Sequence, residues 1–290
     1  MAKINKYGIP SLKRDFPTDR ACLDFIFKTL HKDGCSCGGR YSLMKGTRRY
    51  QCSKCRFKIA PTSGTIFHKS DTPLTLWFQA ILVFSNAKSG ISAKQMESNL
   101  EVTYKCAWRI LMLIRKALAQ STDKLSGDVE MDQAYFGGRF KSGKDNAKQR
   151  EAIAAKSVIM GAVQRGGEAR MKVTPDASSY SHGVFLKETI EPEGTRLMTD
   201  KTNRLSNVAK GYDRHMVDHH VGEYVRGDVY VNSLDSFLAH VKRSIKGTHK
   251  VISKKYLQSY LDGFVWHYNN RHNDRERFEA LLGTLLRASK

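Results

Sequence analysis

An α/β fold is predicted for this 290-residue chain, with its main sheet confined to the second half. Three observations predict it. Helical spacing marks Asp15 to Thr29 and returns from Leu74 to Leu118, four cysteines crowd between positions 35 and 55, and short apolar runs take over after Lys124-Leu125-Ser126-Gly127. A period of 3.6 marks helices, while short apolar runs bounded by turn residues mark buried strands.

The formal charge of +21, from 49 Lys and Arg against 28 Asp and Glu, is the footprint of a chain that neutralises phosphates, so nucleic acid is the expected partner. The segment Met1-Ala2-Lys3-Ile4-Asn5-Lys6 has no apolar core and is not read as a secretory signal. The most apolar stretch, Leu76 to Phe84, falls short of the roughly 20 residues that span a bilayer. A cytoplasmic, nucleoid-associated protein with no membrane partner is expected. In that reducing compartment cysteines favour a metal site over disulfides.

Asp15 to Thr29 predicts a helix, with Pro17 and Thr18 at its start and Cys22, Phe25, Ile26 and Leu30 on its apolar face. Next come Cys35-Ser36-Cys37 and Cys52-Ser53-Lys54-Cys55. Two cysteine pairs on successive hairpin turns bring four thiolates to one tetrahedral Zn²⁺ site, so Cys35, Cys37, Cys52 and Cys55 are its candidate ligands. The first pair is one residue short of the usual Cys-x-x-Cys, which leaves open a ribbon without metal or one that recruits His31. A helix is expected around Leu74 to Ser85. Two more, Ser89 to Met96 and Val102 onward to Leu118, have the pattern of a helix-turn-helix whose second helix enters a major groove. Arg109, Arg115 and Lys116 lie on its polar side as candidate DNA contacts. A plain helical bundle reads the same way.

Strands are expected at Asp128 to Phe136, Ser157 to Val163, Glu168 to Thr174, Thr195 to Asp200 and Met216 to Tyr224. A polar loop is expected from Lys141 to Lys156, and helices at His182 to Ile190, Ser233 to Lys246 and Ser253 to Asn269. Three strands, a helix, a strand, a helix, a strand and a helix is the order of a ribonuclease-H-like sheet. The predicted domains are 1–70, a helix plus zinc ribbon; 71–125, the helix-turn-helix-like region; and 126–290, the sheet with C-terminal helices.

Acids punctuate that sheet. Asp132 sits in the middle of the first strand, and burying a carboxylate costs several kcal/mol unless a cation or hydrogen-bond network compensates it. Asp200 ends another strand, and Asp235 begins a helix. Two divalent ions about 4 Å apart clamp the attacking and leaving oxygens of a phosphodiester, and such ions select oxygen ligands. Each acid has a competing reading. Glu130 shares the strand face of Asp132, and Asp132 is preferred because it lies nearer the strand's exit. Asp200 also reads as the cap of its own turn. In Asn232-Ser233-Leu234-Asp235 the asparagine reads as an N-cap with the acid at N3, a capping box. Beyond it, Asp235, Ala239, Lys242 and Lys246 follow one helix face, which suits metal at one end and DNA phosphate along the other. Lys242, Arg243 and Lys246 are therefore further candidate DNA contacts.

Ordered motifs run nearly the whole length: Phe16-Pro17 with Ala21-Cys22-Leu23, the cysteine ribbon, Ser63-Gly64-Thr65-Ile66-Phe67-His68, Val129-Glu130-Met131-Asp132, Thr199-Asp200, Val231-Asn232-Ser233-Leu234-Asp235-Ser236-Phe237, Gly247-Thr248-His249 and Tyr268-Asn269-Asn270-Arg271. In these the chain resembles the transposases of the IS1595 family of insertion sequences, also called ISXO2-like. The resemblance implies a ribonuclease-H-like core with an acidic triad, cutting transposon ends and joining them to target DNA with Mg²⁺ or Mn²⁺. The ribbon and helical region would help recognise the terminal inverted repeats. It implies double-stranded DNA as partner and a homo-oligomer on that DNA. Carried over by motif, Asp132 and Asp200 are the first two triad acids, and Asp235 stands where the family usually has Glu. The family's Asp-Glu pair is here Asp132-Gln133. The third carboxylate is drawn back by roughly 1 Å, a displacement that can cost about 10²-fold in rate. The alternative is a catalytically weakened or domesticated DNA-binding protein derived from such a transposase.

Overall fold

The computed structural model describes residues 6–32, 34–137, 156–271 and 273–287, the side chain of His220 excepted. The polar loop expected from Lys141 lies outside the described residues up to its last position, Lys156. By contacts the chain forms two units, Met1–Leu118 with Asn270–Lys290, and Ala119–Asn269.

The first unit opens with α1 (Ile9–Asp15) and α2 (Asp19–Leu30). The helix expected from Asp15 therefore starts four residues later. Phe16 leaves the helical conformation at the end of α1, and the Thr18 hydroxyl, on extended backbone, caps α2 by accepting the Ala21 N–H at 3.2 Å. Cys22 is fully buried on α2, as its helical spacing predicts. The ribbon is an antiparallel sheet of β1 (Tyr41–Leu43), β2 (Tyr50–Cys52) and β3 (Lys58–Ile59). It is seated on α2 by Phe27 and Tyr50, whose rings stack 4.0 Å apart at 9°. Next come α3 (Leu74–Asn86), α4 (Ala93–Leu100) and α5 (Tyr104–Ala117). Proline at its N-cap leaves α3 without a side-chain cap of its own. Asp19 supplies one from α2, accepting the N–H groups of Leu74 at 3.0 Å and Thr75 at 2.9 Å. The turn between α4 and α5 passes through Glu101 in the left-handed conformation, φ 54°, and Thr103 caps α5.

The second unit carries β4 (Leu125–Phe136), β5 (Ser157–Gln164), β6 (Ala169–Thr174), α6 (Ser179–Thr189), β7 (Ile190–Asp200), β8 (Asp213–Val217), α7 (Asn232–Ser244) and α8 (Lys254–Asn269). Its mixed sheet has the order β6-β5-β4-β7-β8, antiparallel from β6 through β4 and parallel from β4 through β8. One face of β4 and β5 packs against α7 and α8 through Phe136, Ile159, Leu234, Leu238, Leu261 and Phe264. The other, through Val129, Met131, Met160 and Leu197, packs against Phe185 and Leu186 of α6. Both faces being covered explains why β5 reads as an unbroken apolar run.

Two expectations shift. The last strand, expected at Met216 to Tyr224, is β8 at Asp213–Val217, because its ladder with β7 ends at the Asp200 and Val217 pair; His219–Val221 is then a 3₁₀ turn. Between β7 and β8 the helical piece is only a 3₁₀ turn, Asn203–Leu205. A pattern of 3.6 also missed α9 (Asp274–Arg287), which belongs by contacts to the first unit, where Phe278 packs against Tyr7, Phe16 and Phe78. The residues after Asn269 thus group with the first unit. Among the described residues no helix is long and apolar enough to cross a membrane.

Candidate active site

Strand register brings the acids together. In the parallel pair of β4 and β7, Asp128 lies opposite Arg196 and Glu130 opposite Met198. The same parity continued by two residues puts Asp132 level with Asp200 on the face that α7 covers. On the other side of β4, Asp132 pairs with Gly161 of β5. A side chain at Gly161 would begin 3.0 Å from Leu234 Cδ1, so the missing Cβ lets the first turn of α7 settle onto the strand pair. Asp235 follows one residue later.

The placement of α7 corrects the capping-box reading. The helix starts at Asn232, its N-cap is Val231, and no side chain of the helix caps it. Glu130 takes that role from β4. Fully buried, it accepts the Leu234 N–H at 2.9 Å through Oε2 and the Arg165 Nε–H at 2.9 Å through Oε1. Arg165 donates onward to the carbonyls of Asp228 and Tyr230, both at 2.8 Å, and lies 3.6 Å from the Tyr230 ring centroid. Both oxygens of the rival acid are thus committed to holding the segment that leads into α7.

Asp132 and Asp235, by contrast, have no ion-pair partner among the described residues. Burial, and then the nearby charges of Asp235 and Asp200, push the Asp132 carboxyl up to about 6. Burial likewise raises Asp235, with Asp200 again adding to the effect. Asp200 accepts the Lys201 N–H at 2.7 Å, the turn-capping bond its sequence foreshadowed, and its other oxygen lies 3.8 Å from His219 Nδ1. Three carboxylates on one sheet edge are a donor set suited to a hard divalent cation. Their oxygens are not drawn within 4.8 Å of one another. Among the described residues only the four cysteines reach that closeness. Gln133 and Tyr135, on the opposite strand parity, meet Arg204 at 3.3 and 3.5 Å.

In the ribbon, Cys35 Sγ lies 3.5 Å from Cys55 and from Cys37, and Cys37 lies 3.4 Å from Cys52. Four sulfurs at about 2.3 Å from one Zn²⁺ sit about 3.8 Å apart in a tetrahedron, so the set fits that ion. The short first knuckle closes because Gly38 adopts φ +71° and Gly39 lacks a Cβ, which would stand 2.4 Å from Cys52 Sγ. His31 is not in the set; its ring packs on Phe27. Hydrogen bonding from Tyr41 lowers the Cys35 thiol to about 6, towards the thiolate that metal requires.

The basic candidates divide. Arg109, Lys116, Lys242, Arg243 and Lys246 are exposed, with Lys242 5.8 Å from the Phe136 ring centroid. Arg115 is a correction: it is buried, donates to the Ile91 carbonyl at 3.0 Å and lies over Phe84, so it holds α5 in its unit and is not presented to DNA. Reading the sequence missed Arg165 and His219 as site residues. For His219 the signal was a histidine pair immediately after a strand that ends beside an acid.

Residues 124–269 match the family model of the ISXO2-like transposase domain. Across 94% of this chain and 99% of its own length, a protein in the transposable element ISH50 of Halobacterium salinarum is 24% identical. Among solved structures, the Mos1 strand transfer complex aligns over 73% of this chain and 78% of its own at 10% identity with a TM-score of 0.30. The pre-cleavage Mos1 transpososome gives the same coverage, 11% identity and a TM-score of 0.27. Likeness at that level does not establish a shared fold.

Proposed function

This chain belongs to the ISXO2-like transposase family, and from that membership we propose that it cleaves transposon ends and joins them to target DNA with an acidic triad of Asp132, Asp200 and Asp235. The observation that supports the triad is the register of β4 and β7: its last pair is Met131 and Thr199, the next residues are Asp132 and Asp200, and Asp235 lies in the first turn of α7. The sheet order, with a central β4 antiparallel to one neighbour and parallel to the other, supports a ribonuclease-H-like core.

The three carboxylates would hold Mg²⁺ or Mn²⁺. Bound there, the ions would lower the cost of forming an attacking oxyanion and of expelling the leaving oxygen. What the chain itself does is position. Gly161 and Glu130 bring α7 down onto the sheet edge, and the partly buried setting of Asp132 strengthens its interaction with a cation. Lys242, Arg243 and Lys246 continue along α7 and into the π-turn at Ile245–His249, a basic track for the phosphates that flank the scissile bond.

The ribbon, with Zn²⁺ on Cys35, Cys37, Cys52 and Cys55, and the α4–α5 pair, with Arg109 and Lys116 exposed, are proposed to read the terminal inverted repeats. A homo-oligomer on double-stranded DNA, acting at the nucleoid, follows from the same reading. Labelled transposon-end duplex incubated with the protein and Mg²⁺ or Mn²⁺ tests it. Strand cleavage is expected, and it should vanish in Asp132→Ala and Asp200→Ala. Tight binding without cleavage in either metal would favour the weakened, DNA-binding reading, for which the short third acid Asp235 is the specific observation.

A further inference from the structure

We infer that His219 is a nitrogen ligand added to the three carboxylates, giving this site a preference for Mn²⁺ over Mg²⁺; the inference rests on the acid-site reading above.

The backbone puts His219 there. β8 ends at Val217, paired with Asp200, and His219 opens the 3₁₀ turn two residues later. Its Nδ1 lies 3.8 Å from Asp200 Oδ2. That is too long for a hydrogen bond, so the imidazole does not merely orient the carboxylate. It is closer to the spacing of two donors that share one ion. Asp132 and Asp235 are also within electrostatic reach of His219.

The turn is built to hold the ring still. The Val221 and Glu223 N–H groups both donate to the Asp218 carbonyl, at 3.2 and 3.1 Å, and the Gly222 N–H donates to the His219 carbonyl at 3.2 Å. Tyr224, itself 60% exposed, backs the imidazole at 4.9 Å between ring centroids. Glu223, which faces this turn, is occupied by Arg226 at 2.7 Å, and Asp218 by Lys201 at 2.8 Å. Neither of those acids is left to compete for the ring.

The chemistry then sets the preference. Mg²⁺ takes oxygen in near-ideal octahedral geometry and gains little from an imidazole, whereas affinity for nitrogen donors rises along the transition series. A site of three carboxylates alone would discriminate weakly between Mg²⁺ and Mn²⁺. With His219 as a fourth donor, only the transition ion gains.

The test uses the full chain with its ribbon zinc in place, titrated calorimetrically with MnCl₂ and with MgCl₂, and pulsed electron paramagnetic resonance on the Mn²⁺ form. Expected are ¹⁴N modulation from a coordinated imidazole and a loss of about tenfold in Mn²⁺ affinity in His219→Ala, with Mg²⁺ affinity changed less than about threefold. The modulation should disappear in His219→Ala and in His219→Gln, which keeps the side-chain volume. Mn²⁺ bound in a manner that needs Asp132 and Asp200 but shows no ¹⁴N modulation would overturn the inference and leave the acid site standing. Mn²⁺ binding that survives Asp132→Ala and Asp200→Ala would overturn both.

Discussion

Glu130 Oε2 accepts the Leu234 N–H at 2.9 Å, so an acid on the central strand caps the helix that carries Asp235, the residue after Leu234. The same device appears in the other unit, where Asp19 of α2 caps α3. Each helix opens on a residue that cannot cap it, Val231 or Pro73, and each borrows a carboxylate from a distant element. A borrowed cap ties the helix position to the sheet and not only to its own sequence. In the second unit that tie joins β4, which carries Asp132, to the first turn of the helix that carries Asp235.

Glu130 is therefore a positioning residue, and its variants should separate from those of the acids. Glu130→Ala leaves Arg165 with no carboxylate and Leu234 with an unmet N–H, and breaking a buried pair of this kind costs roughly 3 kcal/mol. Glu130→Gln keeps an acceptor for Leu234 and should cost about 1 to 2 kcal/mol. Thermal unfolding measures both. Calorimetry should find Mn²⁺ affinity in Glu130→Gln within about threefold of wild type. A loss as deep as that of Asp132→Asn would make Glu130 a ligand instead.

Asp132 predicts a pH dependence of the metal-free protein. Its folded-state pKa of about 6 lies above the unfolded value near 4, so the fold favours the protonated acid. The stabilisation this gives is fully present below pH 4 and is lost as pH rises through 6. Above that, the buried charge costs roughly 3 kcal/mol in the absence of divalent ions. Asp132→Asn should raise the melting temperature in EDTA at pH 7.5 and leave it nearly unchanged at pH 4.5. Equal shifts at both pH values would show that the carboxylate is not held in a desolvated position.

How much of this was legible follows from the period of each signal. Asp132 and Asp200 stand out because strand alternation gives each a face, and they directly follow Met131 and Thr199, the last pair of the parallel register. Glu130 shares that alternation, so sequence could rank the two acids only by nearness to the strand's exit. Their difference lies in a bond to a residue 104 positions away. Arg115 failed for a related reason: helical spacing puts it near the polar flank, but its long side chain folds back over Phe84 to the Ile91 carbonyl. Cys-x-Cys looked one residue short because spacing says nothing of backbone conformation, and Gly38 and Gly39 supply the difference.

Those glycines give a test of the ribbon. Wild-type protein should carry one Zn²⁺ per chain by elemental analysis, and strong chelators should unfold the ribbon, since metal binding supplies much of the folding free energy in small zinc modules. Gly39→Ala puts a Cβ 2.4 Å from Cys52 Sγ and 3.0 Å from Lys54 Cβ. It should lower zinc content as far as Cys37→Ser does, while the β4–β8 unit keeps its Mn²⁺ site. Full zinc occupancy with unaltered affinity in Gly39→Ala would mean the four sulfurs are not the site.

Arg109, Lys116 and Arg115 sit within two turns of one helix and should behave differently on DNA. Each phosphate contact adds close to one to the slope of log affinity against log salt. Arg109→Ala and Lys116→Ala, both at exposed positions, should each flatten that slope by about one without altering the melting temperature. Arg115→Met removes a buried donor and leaves the Ile91 carbonyl unmet. It should cost about 1 to 3 kcal/mol in stability and leave the salt slope of the folded fraction unchanged. Fluorescence anisotropy on a transposon-end duplex between 50 and 300 mM salt measures the slope. A flattened slope in Arg115→Met, with wild-type stability, would return that arginine to the DNA and remove it from the core of its helix pair.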